Sequence, residues 1–463
     1  MNENLMINSL RALLSINSVE GEHTEAFPFG EGVSRALHYM LDLGKALGFK
    51  TKNCDEHVGY IEFGEGDEML GVLCHLDVVP AGNGWTKPPF EGTLEKGRFY
   101  GRGALDDKGP AIASLFAMYE LKESGYKPKK RIRLILGTNE ESGSKCIAYY
   151  REHEELPTVA FSPDADFPVI HGEMGIITAS LEKTFDDTTA DGGIKILSLT
   201  GGTAVNMVPD EATVKLIATK PIKSIVDAFN ETRGNVLSYH VINEKTQEVE
   251  ITAKGVSAHA STPEKGTNAI AILLDLLDLI DLEIGDLSNF IRFLRHTIGY
   301  ETDGKSLNIA LEDDYNPLVF NLGVIHLDPH QGKADINIRY PITLKGAIVK
   351  AGIETAIQPL GYTITNWQDV EPLFYPPDHP LVTTLMTVYQ NVTGDHDAKP
   401  ITIGGGTYAR SIPNAIAFGA MFPGSEDCMH QKDEYIALDD LSRMMHIFLE
   451  AMKALSNQAK GFA

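Results

Sequence analysis

The chain has 463 residues, 43% hydrophobic and 22% charged, a globular composition that excludes a disordered, fibrous or collagen-like protein. Lys and Arg number 40 against 64 Asp and Glu, a formal charge of −24, so polyanionic partners are repelled on average and neither nucleic acid nor a membrane surface is expected. Four cysteines without CxxC spacing make neither a disulfide framework nor a thiolate metal site, and the thiols are expected to be reduced.

The opening MNENLMINSLRALLSI has no basic region ahead of an unbroken apolar core, so it reads as a first helix rather than a signal peptide. Helical patterns at 34–47 and 111–124 then alternate with strand-like runs at 69–74 and 131–136. This alternation predicts an α/β domain with a mainly parallel central sheet over 1–175. From 176 to 372 the pattern changes to strands at 213–218 and 248–253 with helices at 222–229 and 267–280, an α+β module. Asp275 and Asp278 interrupt its most apolar stretch, which is too short to cross a bilayer, so a cytoplasmic protein is expected. Residues 207–229 and 327–352 both run turn, strand, Pro-containing turn and helix, which suggests an internal duplication. The proline-rich joint PLFYPPDHP at 372–380 precedes a helix at 381–392 and a strand-like run at 415–421. Residues 373–463 thus resume the first pattern, and the middle module reads as an insertion.

Polar residues that suit catalysis cluster after these strands. In LGVLCHLDVVP, 70–80, period-2 spacing puts His75 and Asp77 on one face, where an imidazole nitrogen can bind a metal while Asp77 orients the ring. A buried His–Asp couple without metal fits the same spacing. GRGALDDKG, 101–109, sets two carboxylates beside glycines, apt for a dication or for a helix cap at Asp106 or Asp107. TNEESG, 138–143, carries Glu140 and Glu141, a ligand and a proton carrier or simply a solvated helix start. SPDADFP, 162–168, and PGSEDCMHQKDE, 423–434, each follow an apolar run. Together they place carboxylates or histidine after successive strands, where open parallel sheets build their sites. Such donors suit zinc, manganese or cobalt.

In this order and spacing the five motifs resemble the M20 metallopeptidase family, and within it the long bacterial dipeptidases of the PepV type, over essentially the whole chain. The resemblance implies two divalent ions, zinc first with manganese or cobalt as alternatives. His75 and Asp164 would hold one ion, Glu141 and His430 the other, and Asp106 would bridge. Asp77 would orient His75, and Glu140 would be the general base toward a two-metal-activated water. A cis peptide between Asp106 and Asp107 is also implied. In the inserted module, GGTAVNMVPDEA, GVSAHAS and ADINIRYP imply that His259 helps hold the oxyanion while Asn206 and Arg339 contact the substrate's C-terminal end; a guanidinium suits a carboxylate. The run GGGTYAR implies close backbone approach to substrate at Gly405, and Asp166, two residues past Asp164, is placed to hold a free amine. The expected substrate is therefore an unblocked dipeptide. An insertion about twice the size of a typical small lid, covering its own site, points to a monomer.

Four other readings touch the same residues or motifs. Residues 299–306, GYETDGKS, satisfy GxxxxGK[ST], but a helical pattern precedes them and no helix pattern follows, contrary to a working P-loop. GxSxG does not occur, so a serine hydrolase is unsupported. A non-catalytic metal-dependent binding protein would use the same ligands without needing Glu140, and an N-acyl-amino-acid deacylase would use the same site.

Overall fold

The computed structural model describes residues 3–186 and 193–458. Met1 and Asn2 of the expected first helix lie outside them, and the helix runs over Glu3–Leu14. Two compact units are present: Met1–Gly172 with Tyr375–Ala463, and Glu173–Phe374.

In the first unit the central strand Met69–His75, MLGVLCH, is buried at every position, as a strand covered on both faces requires. It pairs in parallel with Arg131–Gly137 on one side and Val159–Ser162 on the other, and the latter pairs in parallel with Ala415–Ala417. Outside this parallel centre the sheet turns antiparallel. Val58–Phe63 lies against Arg131–Gly137, Lys50–Cys54 against Val58–Phe63, and Ile170 opposite Ala417. The sheet is therefore mixed, with the expected parallel grammar confined to its middle, because short hairpins such as 50–63 close only antiparallel pairs. Helix Lys108–Glu123 buries twelve of its residues and packs with Leu438–Asn457 and Glu3–Leu14 into the core. The apolar run 415–421 is not one strand. A cis peptide at Gly419–Ala420 divides it into Ala415–Ala417 and Ala420–Met421, and the second piece pairs with Ala165–Asp166.

Among its described residues the second unit is an antiparallel sheet with four α-helices: Lys223–Arg233, Ala269–Leu279, Asp286–Thr297 and Gly346–Ile357. Its strand order is Leu237–Asn243, Glu248–Lys254, Glu211–Ile217, Lys195–Gly201, Val319–Leu327, Gln331–Tyr340, Gly175–Thr184 and Thr363–Val370. Period-2 alternation sends Ile177, Ala179 and Leu181 into a core shared with Ile270, Phe290 and Val349 of the helices. The two similar segments occupy mirrored places in this order. Glu211–Ile217 leads through Pro221 to helix 223–233, and Gln331–Tyr340 through Pro341 to helix 346–357. No described helix is long and apolar enough to cross a membrane.

Candidate active site

The site grows from the carboxyl ends of the parallel strands. His75 is the last residue of its strand, so Asp77 stands beyond the strand end instead of sharing a strand face with it. The imidazole is 1% exposed. Its Nδ1 is 2.9 Å from the main-chain oxygen of Asp77, while the Asp77 carboxylate Oδ1 is 3.6 Å away. The backbone carbonyl thus fixes the ring, and the carboxylate turns its Oδ2 to accept the Glu141 amide at 3.0 Å. Asp77 ties the His75 strand to the loop carrying Glu140 and Glu141.

Asp106 and Asp107 precede helix 108–123, and the peptide between them is cis. Asp107 occupies the N-cap position without capping the helix; its Oδ2 accepts the His75 amide at 3.0 Å. Asp106 turns one oxygen to each imidazole. Oδ1 is 2.9 Å from His75 Nε2, and Oδ2 is 2.9 Å from His430 Nε2. Asp164, two residues past its strand, brings Oδ1 within 3.5 Å of His75 Nε2, and Glu141 Oε1 lies 3.2 Å from His430 Nε2. His430 adopts a left-handed backbone in a surface loop, its side chain 48% exposed. Donor atoms of His75, Glu140 and Asp164 lie within 4.8 Å of one another, as do those of His75, Asp106 and Glu141. Glu140 therefore faces the same cluster as the ligand candidates.

Crowded carboxylates dominate the electrostatics. Burial and the neighbouring Asp164 hold Glu140 well above the usual carboxylate range, and burial pushes Asp164 up to about 7 against the pull of His75. Burial draws His430 down, but Asp106 and Glu141 outweigh it and raise the imidazole to about 11. Burial opposes ionisation of Asp106 as well, yet its bonds to His430 and His75 keep it below its ordinary value. Negative groups outnumber the imidazoles that balance them, and the donors are nitrogen and oxygen with no thiolate. Such a set fits zinc, manganese or cobalt.

Several supporting residues escaped the sequence reading. Tyr408, from the GGGTYAR run, is fully buried with its ring centroid 6.3 Å from that of His75, and its hydroxyl is 2.9 Å from Cys146 Sγ. It fits because residue 137 is glycine: a Cβ there would meet the Tyr408 hydroxyl at 2.1 Å. Glu434 and Arg102 form a buried pair beneath the Asp106 loop. The final glutamate of the 423–434 motif was the available signal. Of the other expected residues, Asp166 has a buried Oδ1 with no hydrogen-bond partner, and burial raises its carboxyl to about 6. The Gly405 carbonyl accepts a bond from Arg410 at 2.9 Å.

The second unit joins Asn206 to the segment of His259. The Asn206 carbonyl accepts the Ala260 amide at 2.9 Å, and Met207 bridges to His259, whose Nδ1 is 2.7 Å from Ser261 Oγ. Asn321 holds this loop by donating to the carbonyls of Val205 and Met207. Arg339, 4% exposed, lies opposite Val319 on the neighbouring strand and donates from Nε to Asn337 Oδ1 at 2.9 Å. The P-loop-like run is closed on itself. Glu301 accepts from both the amide and the hydroxyl of Ser306, placing a carboxylate where a phosphate would have to bind, and only a single 3-10 turn follows Gly304.

Comparison with known proteins bears on this geometry. The sequence matches the model of peptidase family M20/M25/M40 over residues 71–454. It is 39% identical over 455 residues to "Putative dipeptidase YtjP" of Bacillus subtilis (strain 168), with 97% of each chain covered. It is 38% identical over 462 residues to a "Putative dipeptidase" of Staphylococcus epidermidis, covering 98% of this chain and 97% of that one. Among solved structures, human carnosine dipeptidase 1 shares the fold with a TM-score of 0.58 at 14% identity, covering 98% of this chain and 97% of that one. The dipeptidase Dug1p of Saccharomyces cerevisiae does so with a TM-score of 0.56 at 14% identity, covering 99% and 97%.

Proposed function

From the premise that the chain belongs to peptidase family M20/M25/M40 and is a dipeptidase-like metallopeptidase, we propose that it hydrolyses the peptide bond of unblocked dipeptides. The observation that carries the reading is Asp106, whose two oxygens each lie 2.9 Å from a different imidazole, as a carboxylate bridging two ions requires. His75 and Asp164 would hold one divalent ion and Glu141 and His430 the other, with zinc favoured and manganese and cobalt as alternatives. Bound there, such ions would supply Lewis-acid polarisation of a carbonyl and a lowered pKa for water.

The chain's own residues do the rest. Glu140 removes the proton from the attacking water and returns it to the departing amine nitrogen. Asp77 fixes the loop of Glu141, and Asp107 fixes the end of the His75 strand. His259 is assigned to the developing oxyanion, and Arg339 with Asn206 to the substrate carboxylate. A guanidinium already steadied by Asn337 loses little further freedom on pairing. Asp166, with its unpartnered oxygen, is assigned to the free α-amine, and the Gly405 backbone to close approach. The enzyme is proposed to act as a monomer, which sedimentation checks: a stable dimer would refute it.

A panel of dipeptides, their N-acetylated forms and their C-terminal amides, given to metal-stripped enzyme reloaded with zinc, manganese or cobalt, tests the function. Cleavage of free dipeptides above both blocked sets is the expected result. Preference for N-acetyl amino acids would move the enzyme to deacylation, and metal binding without turnover of any substrate would leave only a binding protein.

A further inference from the structure

Below the proposed centre, and outside every role assigned so far, lies an ion pair with no access to solvent: Arg102 is 1% exposed and Glu434 0%. Arg102 Nη1 donates to Glu434 Oε2 at 2.7 Å. The same Oε2 accepts the Gly103 amide at 3.1 Å, and Oε1 accepts the amides of Leu105 at 2.9 Å and Asp106 at 3.2 Å. The second arm of the guanidinium, Nη2, points to the carbonyls of Pro80, Ala81 and His430, at 3.4, 3.3 and 3.3 Å.

We propose that Arg102 and Glu434 are positioning residues that set the bridging carboxylate of Asp106 and the imidazole of His430 in register for two metal ions. The inference rests on the reading of those two residues as ligands. Residues 101–106 form turns, with Gly103 at φ +84°, so their amides have no strand or helix partners. A carboxylate is the side chain that can take three of them and a guanidinium at once; an amide offers a single oxygen. Because the Asp106 side chain reaches a different imidazole with each oxygen, a small rotation of its backbone disturbs both contacts together. The planar fork of Arg102 links this loop to the His430 carbonyl and to the segment following Asp77, so one pair sets three loops that carry the centre. Stability alone does not explain it: burying two charges carries a desolvation cost, and an apolar pair of similar volume commonly serves a fold as well. Partners of this kind behind metal ligands typically govern metal affinity or activity by 10–100-fold.

Arg102→Lys and Glu434→Gln test the proposal. The lysine keeps the charge opposite Glu434 but has a compact head that cannot reach the three carbonyls, and the glutamine keeps an acceptor for Leu105 and Asp106 while losing the second oxygen. Three quantities are measured: melting of the metal-stripped protein, zinc stoichiometry and affinity by competition with a chromophoric chelator, and kcat separately from KM. The expected result is a folded protein whose zinc affinity falls at least tenfold, with kcat reduced at least tenfold and KM within about threefold of wild type. Zinc affinity within twofold of wild type in both folded variants would overturn the proposal, whatever happens to melting. Failure of both variants to fold would assign the pair to the core and overturn it equally. Asp106→Asn runs alongside: if it retains both metals, the reading of the centre itself is wrong, whereas loss of metal there with retention in both pair variants sinks the positioning role alone.

Discussion

Replacing Glu140 by glutamine separates its role as a base from a role as a ligand. The substitution preserves shape and removes one negative charge from a cluster in which donor atoms of His75, Glu140 and Asp164 lie within 4.8 Å of one another. Two unit charges at that separation repel by about 3.5 kcal/mol at an effective dielectric constant of about 20. Without metal, the carboxylates relieve part of this by holding protons, so a gain of about 1–2 kcal/mol is expected for the stripped variant. For a domain of this size that is a melting temperature roughly 2–8 °C above that of stripped wild type. Turnover moves the other way. Losing an acid-base group costs a factor on the order of 10² to 10⁴, or about 2.7–5.4 kcal/mol of transition-state stabilisation. The assay combines calorimetry of the stripped proteins, metal analysis of the reloaded ones and steady-state kinetics on one dipeptide. Raised melting, two retained metal equivalents and a kcat lowered at least 10²-fold are expected. A variant that keeps only one metal equivalent would make Glu140 a ligand, and one that keeps wild-type kcat would remove it from proton transfer.

Asp107→Ala leaves the His75 amide without its acceptor and is expected to cost about 1–3 kcal/mol of stability, read as a lowered denaturation midpoint in the metal-stripped enzyme; an unchanged midpoint would mean another group replaces it. Gly137→Ala pushes a Cβ into the Tyr408 hydroxyl, and about 1–3 kcal/mol of destabilisation is expected; pairing it with Tyr408→Phe should recover part of the loss, a coupling that thermal melts of the four proteins measure. Arg339→Ala should lower kcat/KM for free dipeptides at least tenfold, about 1.4 kcal/mol, and barely change it for C-terminal amides; equal losses on both would refute the carboxylate assignment. Chelation should abolish hydrolysis, and readdition of zinc, manganese or cobalt should restore it, as progress curves before and after dialysis will show.

Legible in the residues alone were the alternation that makes the first unit α/β, the separate character of the middle of the chain, and the motifs that end at the site. These are local properties. The apolar run at 69–74 reads as a strand, and a carboxylate just after a strand is visible without knowing what it faces. The antiparallel flanks of the sheet, the break at Gly419–Ala420 and the closure of the 299–306 run on Glu301 were decided by pairing and chain geometry. The partners of His75 were decided in the same way. Spacing suggested the Asp77 carboxylate, but the fold gave Nδ1 the Asp77 carbonyl and gave the backbone amide to Asp107. Arg102 and Glu434 stand 332 positions apart, and nothing in either motif says that they meet. Hydrogen bonds act over about 3 Å, so which distant groups satisfy one another is settled only when packing brings their loops together.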